Sequence, residues 1–176
     1  MIDTHVHLNN KDLGAANVLP GVMERATLAG VHTHIVVGYD LASSERAVML
    51  AEGDSRIFAT VGVHPHEAAN YTPATESRLR ELAAHGRTVA IGEIGYDFYR
   101  NLSPRDAQES AFRAQLSIAR ETGLPVVIHC REAYPETLAL LEAEADGISI
   151  ILHCFAGDAG DAERAAKHGW FLGVGG

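Results

Sequence analysis

Short apolar runs alternate with helix-patterned stretches along the whole chain, and that rhythm points to a parallel α/β architecture. Ile2 to Leu8, Thr33 to Gly38, Ile57 to Val63, Thr88 to Ile94, Pro125 to His129 and Ile148 to His153 read as strands. Phe171 to Val174 begins a seventh. Between them, Leu19 to Gly30 reads as a helix with a glycine stop. Ser43 or Ser44 caps a helix reaching Asp54. Thr72-Pro73 starts the next in cap-then-proline order, with Leu79, Leu82 and Ala83 on its buried face. Ser103-Pro104 opens another, with Phe112, Leu116 and Ala119 at helical spacing and Gly123 as its stop. Pro135 to Ala145 and Asp161 to His168 complete the helices.

The strand runs, such as Val126-Val127-Ile128, are apolar at consecutive positions, which fits strands covered on both faces. An open doubly wound sheet and a (β/α) barrel both meet that description. A full barrel takes ~250 residues, whereas this chain has 176. The expectation is therefore one domain, residues 1–176, built as an incomplete TIM-type (β/α) barrel of six to seven strands. It would lack the last strands and helices. Its first and last strands would be open, apolar edges, which recruit other strands and favour self-association.

Five of the strands carry ligand-type residues at or near their ends: His5 and His7, His64, Glu93, His129 and His153. In α/β folds the C-terminal strand ends form the active-site rim. His5 and His7 are two apart and share a strand face. A lone His-X-His is weak evidence, and a single strand-end histidine is usually structural. Six ligand-type residues at five strand ends are a different matter, because imidazoles and a carboxylate together bind divalent metals.

Lys plus Arg number 14 and Asp plus Glu 23, a formal net charge of −9. That argues against broad non-specific binding to a polyanion but leaves room for a local phosphate pocket. The two cysteines are too few for a disulfide framework. No apolar run approaches the ~20 residues of a membrane span, and the N-terminus has no signal-peptide pattern. The expectation is a cytoplasmic protein with no membrane partner.

Five segments identify a family. They are Ile2-Asp3-Thr4-His5-Val6-His7-Leu8, Gly62-Val63-His64-Pro65-His66-Glu67-Ala68, Ala90-Ile91-Gly92-Glu93-Ile94-Gly95-Tyr96-Asp97-Phe98-Tyr99-Arg100, Pro125-Val126-Val127-Ile128-His129-Cys130-Arg131-Glu132-Ala133, and Leu152-His153-Cys154-Phe155-Ala156-Gly157. In this order and spacing the chain resembles the TatD family of metal-dependent deoxyribonucleases, within the amidohydrolase superfamily. The resemblance implies a two-metal site that hydrolyses DNA or oligonucleotide phosphodiesters, with Mg, Mn or Zn as the ion. It implies that His5 and His7 bind one metal, that Glu93 bridges both, and that His129 and His153 bind the second. It places His64 near the substrate phosphate, and Glu93 and His64 are the catalytic candidates. The family pattern also has an aspartate on the last barrel strand, and Gly175-Gly176 precede that strand. Asp97, Asp158 and Asp161 are not expected to replace it. The second metal position is therefore expected to be the better occupied. An amide or ester hydrolase of the same superfamily, or an inactive truncated metal-binding domain, are the alternatives.

Arg100 and Arg131 follow strand-end motifs and could contact phosphate or form ion pairs with Asp97 or Glu132. Tyr96, Phe98 and Tyr99 could stack on a base or simply pack. His32, His34, His85 and His168 are expected at the surface or as caps, and His66 ranks below His64. Alternation would turn Cys130 and Cys154 into the core. Gly92 and Gly95 are expected to permit close strand packing.

Overall fold

The computed structural model describes residues 1–175. Its apolar runs form seven parallel strands in sequence order: β1 (Ile2–Val6), β2 (Thr33–Val37), β3 (Ile57–Val61), β4 (Thr88–Asp97), β5 (Val126–Arg131), β6 (Ile150–Leu152) and β7 (Phe171–Leu172). Parallel neighbours require crossovers. These are α1 (Leu19–Leu28), α2 (Leu41–Gly53), α3 (Pro73–Ala83), α4 (Arg105–Thr122), α5 (Tyr134–Glu144) and α6 (Ala159–Lys167), with a 3-10 helix at Pro65–Asn70 before α3. Among the described residues β1 and β7 are the outer strands and do not pair with each other.

The core lies between sheet and helices. Val36, Ala59, Val61, Ile91, Ile94, Val126, Ile128 and Ile150 are sealed on the strands. Phe112, Leu116 and Ile118 of α4 and Leu138 and Leu141 of α5 close over them. Burying side chains of this size stabilises the fold by roughly 1.5–3 kcal/mol each.

Several boundaries differ from the sequence reading. Asp40, not a serine, caps α2; it accepts from Ser43 N–H, and the Ser43 hydroxyl accepts from Asp40 N–H in return. Asp158 caps α6 in the same reciprocal way, with Asp161 as its partner. α5 begins at Tyr134. Strand β3 stops at Val61, and His64 becomes the cap of the 3-10 helix. Strand β4 continues to Asp97, because Gly95, Tyr96 and Asp97 pair with His129, Cys130 and Arg131.

Two glycines set how closely β4 approaches β5. Gly95 has φ +138, and a Cβ there would lie 2.1 Å from the His129 carbonyl oxygen. Gly92, at φ +149, would bring its Cβ to 2.7 Å from the Val127 carbonyl oxygen. Only glycine fits either place, and the expected close packing is present.

Candidate metal centre

The C-terminal ends of β1, β4 and β5 meet the loop after β3 at one rim. Glu93 is buried within it at 6% exposure. Its Oε1 lies 3.0 Å from His129 Nδ1, and its Oε2 lies 3.5 Å from His5 Nε2. Two groups of ligand atoms, each within 4.8 Å, share this carboxylate: His5, His7 and Glu93, and His64, Glu93 and His129. A cavity of about 300 Å³ opens beside them, lined by His7, Tyr39, His64, His66 and Glu93 among others.

Hydrogen-bond direction decides which ring nitrogens are free. His7 Nδ1 faces the Val37 carbonyl at 3.2 Å. A carbonyl only accepts, so Nδ1 carries the hydrogen and Nε2 keeps its lone pair. His64 is the reverse case. Its Nδ1 accepts from His66 N–H at 3.1 Å, leaving the hydrogen on Nε2. Burial, helped by neighbouring His129, pushes His64 down to about 3. At neutral pH it is an uncharged ring presenting one N–H, which suits an acceptor oxygen better than a cation.

His129 lies between two carboxylates. Nδ1 faces Glu93, and Nε2 lies 3.1 Å from Asp97 Oδ2. Burial opposes its charge, yet the hydrogen bonds and charges of Glu93 and Asp97 prevail and raise its pKa. Burial likewise opposes ionisation of Glu93, and hydrogen bonds from His129 and His5 prevail, holding it well below the usual carboxylate range. A lone pair and a carboxylate oxygen 3.0 Å apart require a cation between them. That cation is a proton or a metal ion, so the donor set fits a divalent metal.

His153 reaches the rim from the loop after β6. Its ring lies flat on His5, with centroids 3.5 Å apart and planes 10° from parallel. It is in neither ligand group. Strand β6 ends at Leu152, so alternation does not aim this side chain.

Asp97 corrects the sequence reading most. It is fully buried at the end of β4. Oδ2 faces His66 Nε2 at 2.8 Å as well as His129, and Oδ1 accepts from Arg100 N–H at 2.7 Å. Burial opposes its charge, but these hydrogen bonds draw it down to about 2. It is in neither ligand group. His66 thus belongs to the site, in contact with Asp97 and edge-on to His64.

The remaining candidates divide. Arg131 is exposed and stacks on Tyr99, 4.0 Å from the ring centroid, rather than pairing with Glu132. Arg100 is exposed, and Asp97 takes its backbone N–H. Tyr96 is buried against Phe98 and Phe112, a packing role. His85 faces Glu52 and His168 stacks on Trp170 near Glu142, both as surface residues. His34, expected at the surface, is 3% exposed, because β2 turns it to the same face as Val36. Cys130 is buried as expected, whereas Cys154 is exposed. The backbone at Cys154 has φ +48 beyond the end of β6, so it is not directed inward.

A parallel α/β sheet that gathers imidazoles and carboxylates at its strand ends is the framework of a metal-dependent hydrolase. The chain belongs to the TatD related DNase family, whose model matches residues 2–176. It is 40% identical over 175 residues to the 3'-5' ssDNA/RNA exonuclease TatD of Enterobacter lignolyticus, covering 99% of this chain and 66% of that protein. It is 37% identical over 177 residues to the uncharacterized metal-dependent hydrolase YabD of Bacillus subtilis, covering 100% of this chain and 69% of the relative. The crystal structure of YJJV, a TatD homolog from Escherichia coli, superposes with a TM-score of 0.91 at 27% identity, covering 100% of this chain and 68% of that one. The chain thus spans about two thirds of the length of these relatives.

Proposed function

We propose that this chain, as a single domain, hydrolyses phosphodiester bonds of DNA or RNA oligonucleotides with two divalent metal ions. The observation that carries this reading is Glu93, buried with one carboxylate oxygen toward His129 and the other toward His5. A carboxylate so placed can bridge two ions, which one imidazole nitrogen cannot. His5 and His7 would hold the first ion with Glu93, and His129 and His153 the second. His153 would leave its stack on His5 to do so. The second ion binds more tightly, because Glu93 Oε1 and His129 Nδ1 already face each other at 3.0 Å. The imidazoles favour Zn, while the Glu93 carboxylate and retained waters would serve Mn or Mg.

When bound, such ions supply an activated water and clamp the phosphate oxygens. The chain's own groups do the rest. His64 Nε2–H donates to a phosphate oxygen in the cavity beside Glu93. Arg100 and Arg131, exposed at the ends of β4 and β5, offer cationic contacts to flanking phosphates. No helix among the described residues is long and apolar enough to cross a membrane. Both cysteines are free thiols, which goes with a cytoplasmic setting.

The test is release of nucleotides from an end-labelled single-stranded oligonucleotide with added Mg, Mn or Zn, with an ester and a lactone run in parallel. Cleavage should require metal and vanish in Glu93→Ala and His129→Ala. Turnover in excess chelator, unchanged turnover in either variant, or hydrolysis of the ester alone would overturn the proposal. The unpaired outer strands β1 and β7, with Ile2 and Phe171 exposed on them, support self-association of this chain. Light scattering reads this directly, and a monodisperse monomer would refute it.

A further inference from the structure

We propose that Asp97 is a positioning residue: by accepting the Nε2–H of His129, it holds that ring with its Nδ1 lone pair toward Glu93, where the second metal binds. This rests on the metal-hydrolase reading above. The argument begins with the inventory of donors. A carboxylate only accepts, so a histidine nitrogen 3.1 Å from it must carry the hydrogen. The same rule puts a hydrogen on Nδ1, 3.0 Å from Glu93 Oε1, in the metal-free ring; a metal taken up beside Glu93 displaces that hydrogen, and Nε2 keeps its own on Asp97. The ring's other in-plane orientation would turn carbon toward both carboxylates. Asp97 therefore fixes both tautomer and orientation, as carboxylates behind metal-bound histidines commonly do.

Asp97 is itself held from three sides. Its backbone N–H donates to Gln108 Oε1 at 2.9 Å, and Gln108 Nε2 donates to the Ser103 carbonyl at 2.8 Å. The Ser103 hydroxyl donates to the His66 carbonyl at 2.8 Å and accepts from Ala69 N–H at 3.0 Å. His66 then returns to Asp97 Oδ2 through its own Nε2. This closed, partly buried network joins α4, the 3-10 helix and the end of β4, and it leaves the carboxylate little freedom to rotate. Asp97 needs no metal contact to act, and it is itself a member of neither ligand group.

The test uses the full chain and zinc alone as the probe. In 15N-histidine-labelled wild type loaded with zinc, His129 should show the Nε2–H form. Asp97→Asn, with unchanged far-UV circular dichroism, should bind zinc about 10–100-fold more weakly by calorimetry. His168→Phe, at the surface and away from the site, should bind within a few-fold of wild type. A His129 protonated at Nδ1 in the zinc-loaded wild type would overturn the proposal, and that spectrum decides the matter even where Asp97→Asn fails to fold. So would wild-type zinc affinity in a folded Asp97→Asn. Wild type that takes up no zinc would remove the metal reading itself, a result distinct from either of these.

Discussion

His5 and His153 lie face to face across the rim, with centroids 3.5 Å apart and planes 10° from parallel. The contact joins the first strand to the loop after the sixth, and it packs two candidate ligands against each other. Phenylalanine at 153 keeps the stack and removes the nitrogen donors. His153→Phe should therefore melt within a few degrees of wild type yet lose one of the two metal ions. Differential scanning fluorimetry and elemental analysis read the two quantities separately. Full metal content in this variant would make His153 a packing residue only.

His64 and Glu93 share a cavity but should separate in function. His64→Ala removes an N–H donor and no metal lone pair. Metal content should stay as in wild type, while oligonucleotide cleavage falls by about 10²-fold, the usual effect of losing one donor to a developing charge. Loss of metal along with activity would instead make His64 a ligand.

Metal-free protein should be most stable near pH 6.5. His64, His7 and His153 have pKa values lowered chiefly by burial, so the unfolded chain binds more protons than the fold below ~6.5. Their contribution is lost as the pH falls. Glu93 and Asp97, both lowered, act in the same direction further down, through about 2 for Asp97. His129, raised, has the opposite sign. Its stabilisation is complete below ~6.5 and is lost as the pH rises through its folded value. Calorimetric melting in chelator should show a steep acid limb and a shallow alkaline one. His64→Gln should flatten the acid limb, and an unchanged profile in that variant would contradict the assignment.

The two thiols should differ sharply in reactivity. Cys130 is buried beside the Thr137 hydroxyl at 3.2 Å, and burial pushes its pKa up to about 11. Cys154 is exposed. At pH 8 iodoacetamide should label Cys154 first, with Cys130 reacting only on unfolding, as peptide mass mapping would reveal. Equal labelling of both in folded protein would refute the placement of Cys130.

What the sequence made legible was strand order and the residues at strand ends. His5, His7, Glu93 and His129 converge because each lies on a strand or directly after one, even though the pairing register shifts between Asp3 and Val6 and between Ile91 and Ile94. Cys154 follows a strand that ends at Leu152, so alternation aimed it wrongly, whereas His153, directly after that strand, reaches the rim against His5. Asp97 was missed for the converse reason. Reading β4 as ending at Ile94 hid that Glu93, Gly95 and Asp97 share one face, a spacing plainly present in the chain. Only the pairing of Gly95, Tyr96 and Asp97 with β5 extends the strand that far. His34 carried a similar signal, since it alternates with Val36.

The flanking of His129 by Glu93 and Asp97 makes ion uptake an exchange. The imidazolium proton that stands between Glu93 and His129 must depart as the metal arrives, so the pocket gains one net positive charge rather than two. Below the pKa of His129, each pH unit of acidification should weaken apparent affinity about tenfold. Calorimetry in buffers of different ionisation enthalpy would count the released proton. A cell compartment's acidity would then set how much of this protein carries metal at a given free-ion level, with no change in the fold.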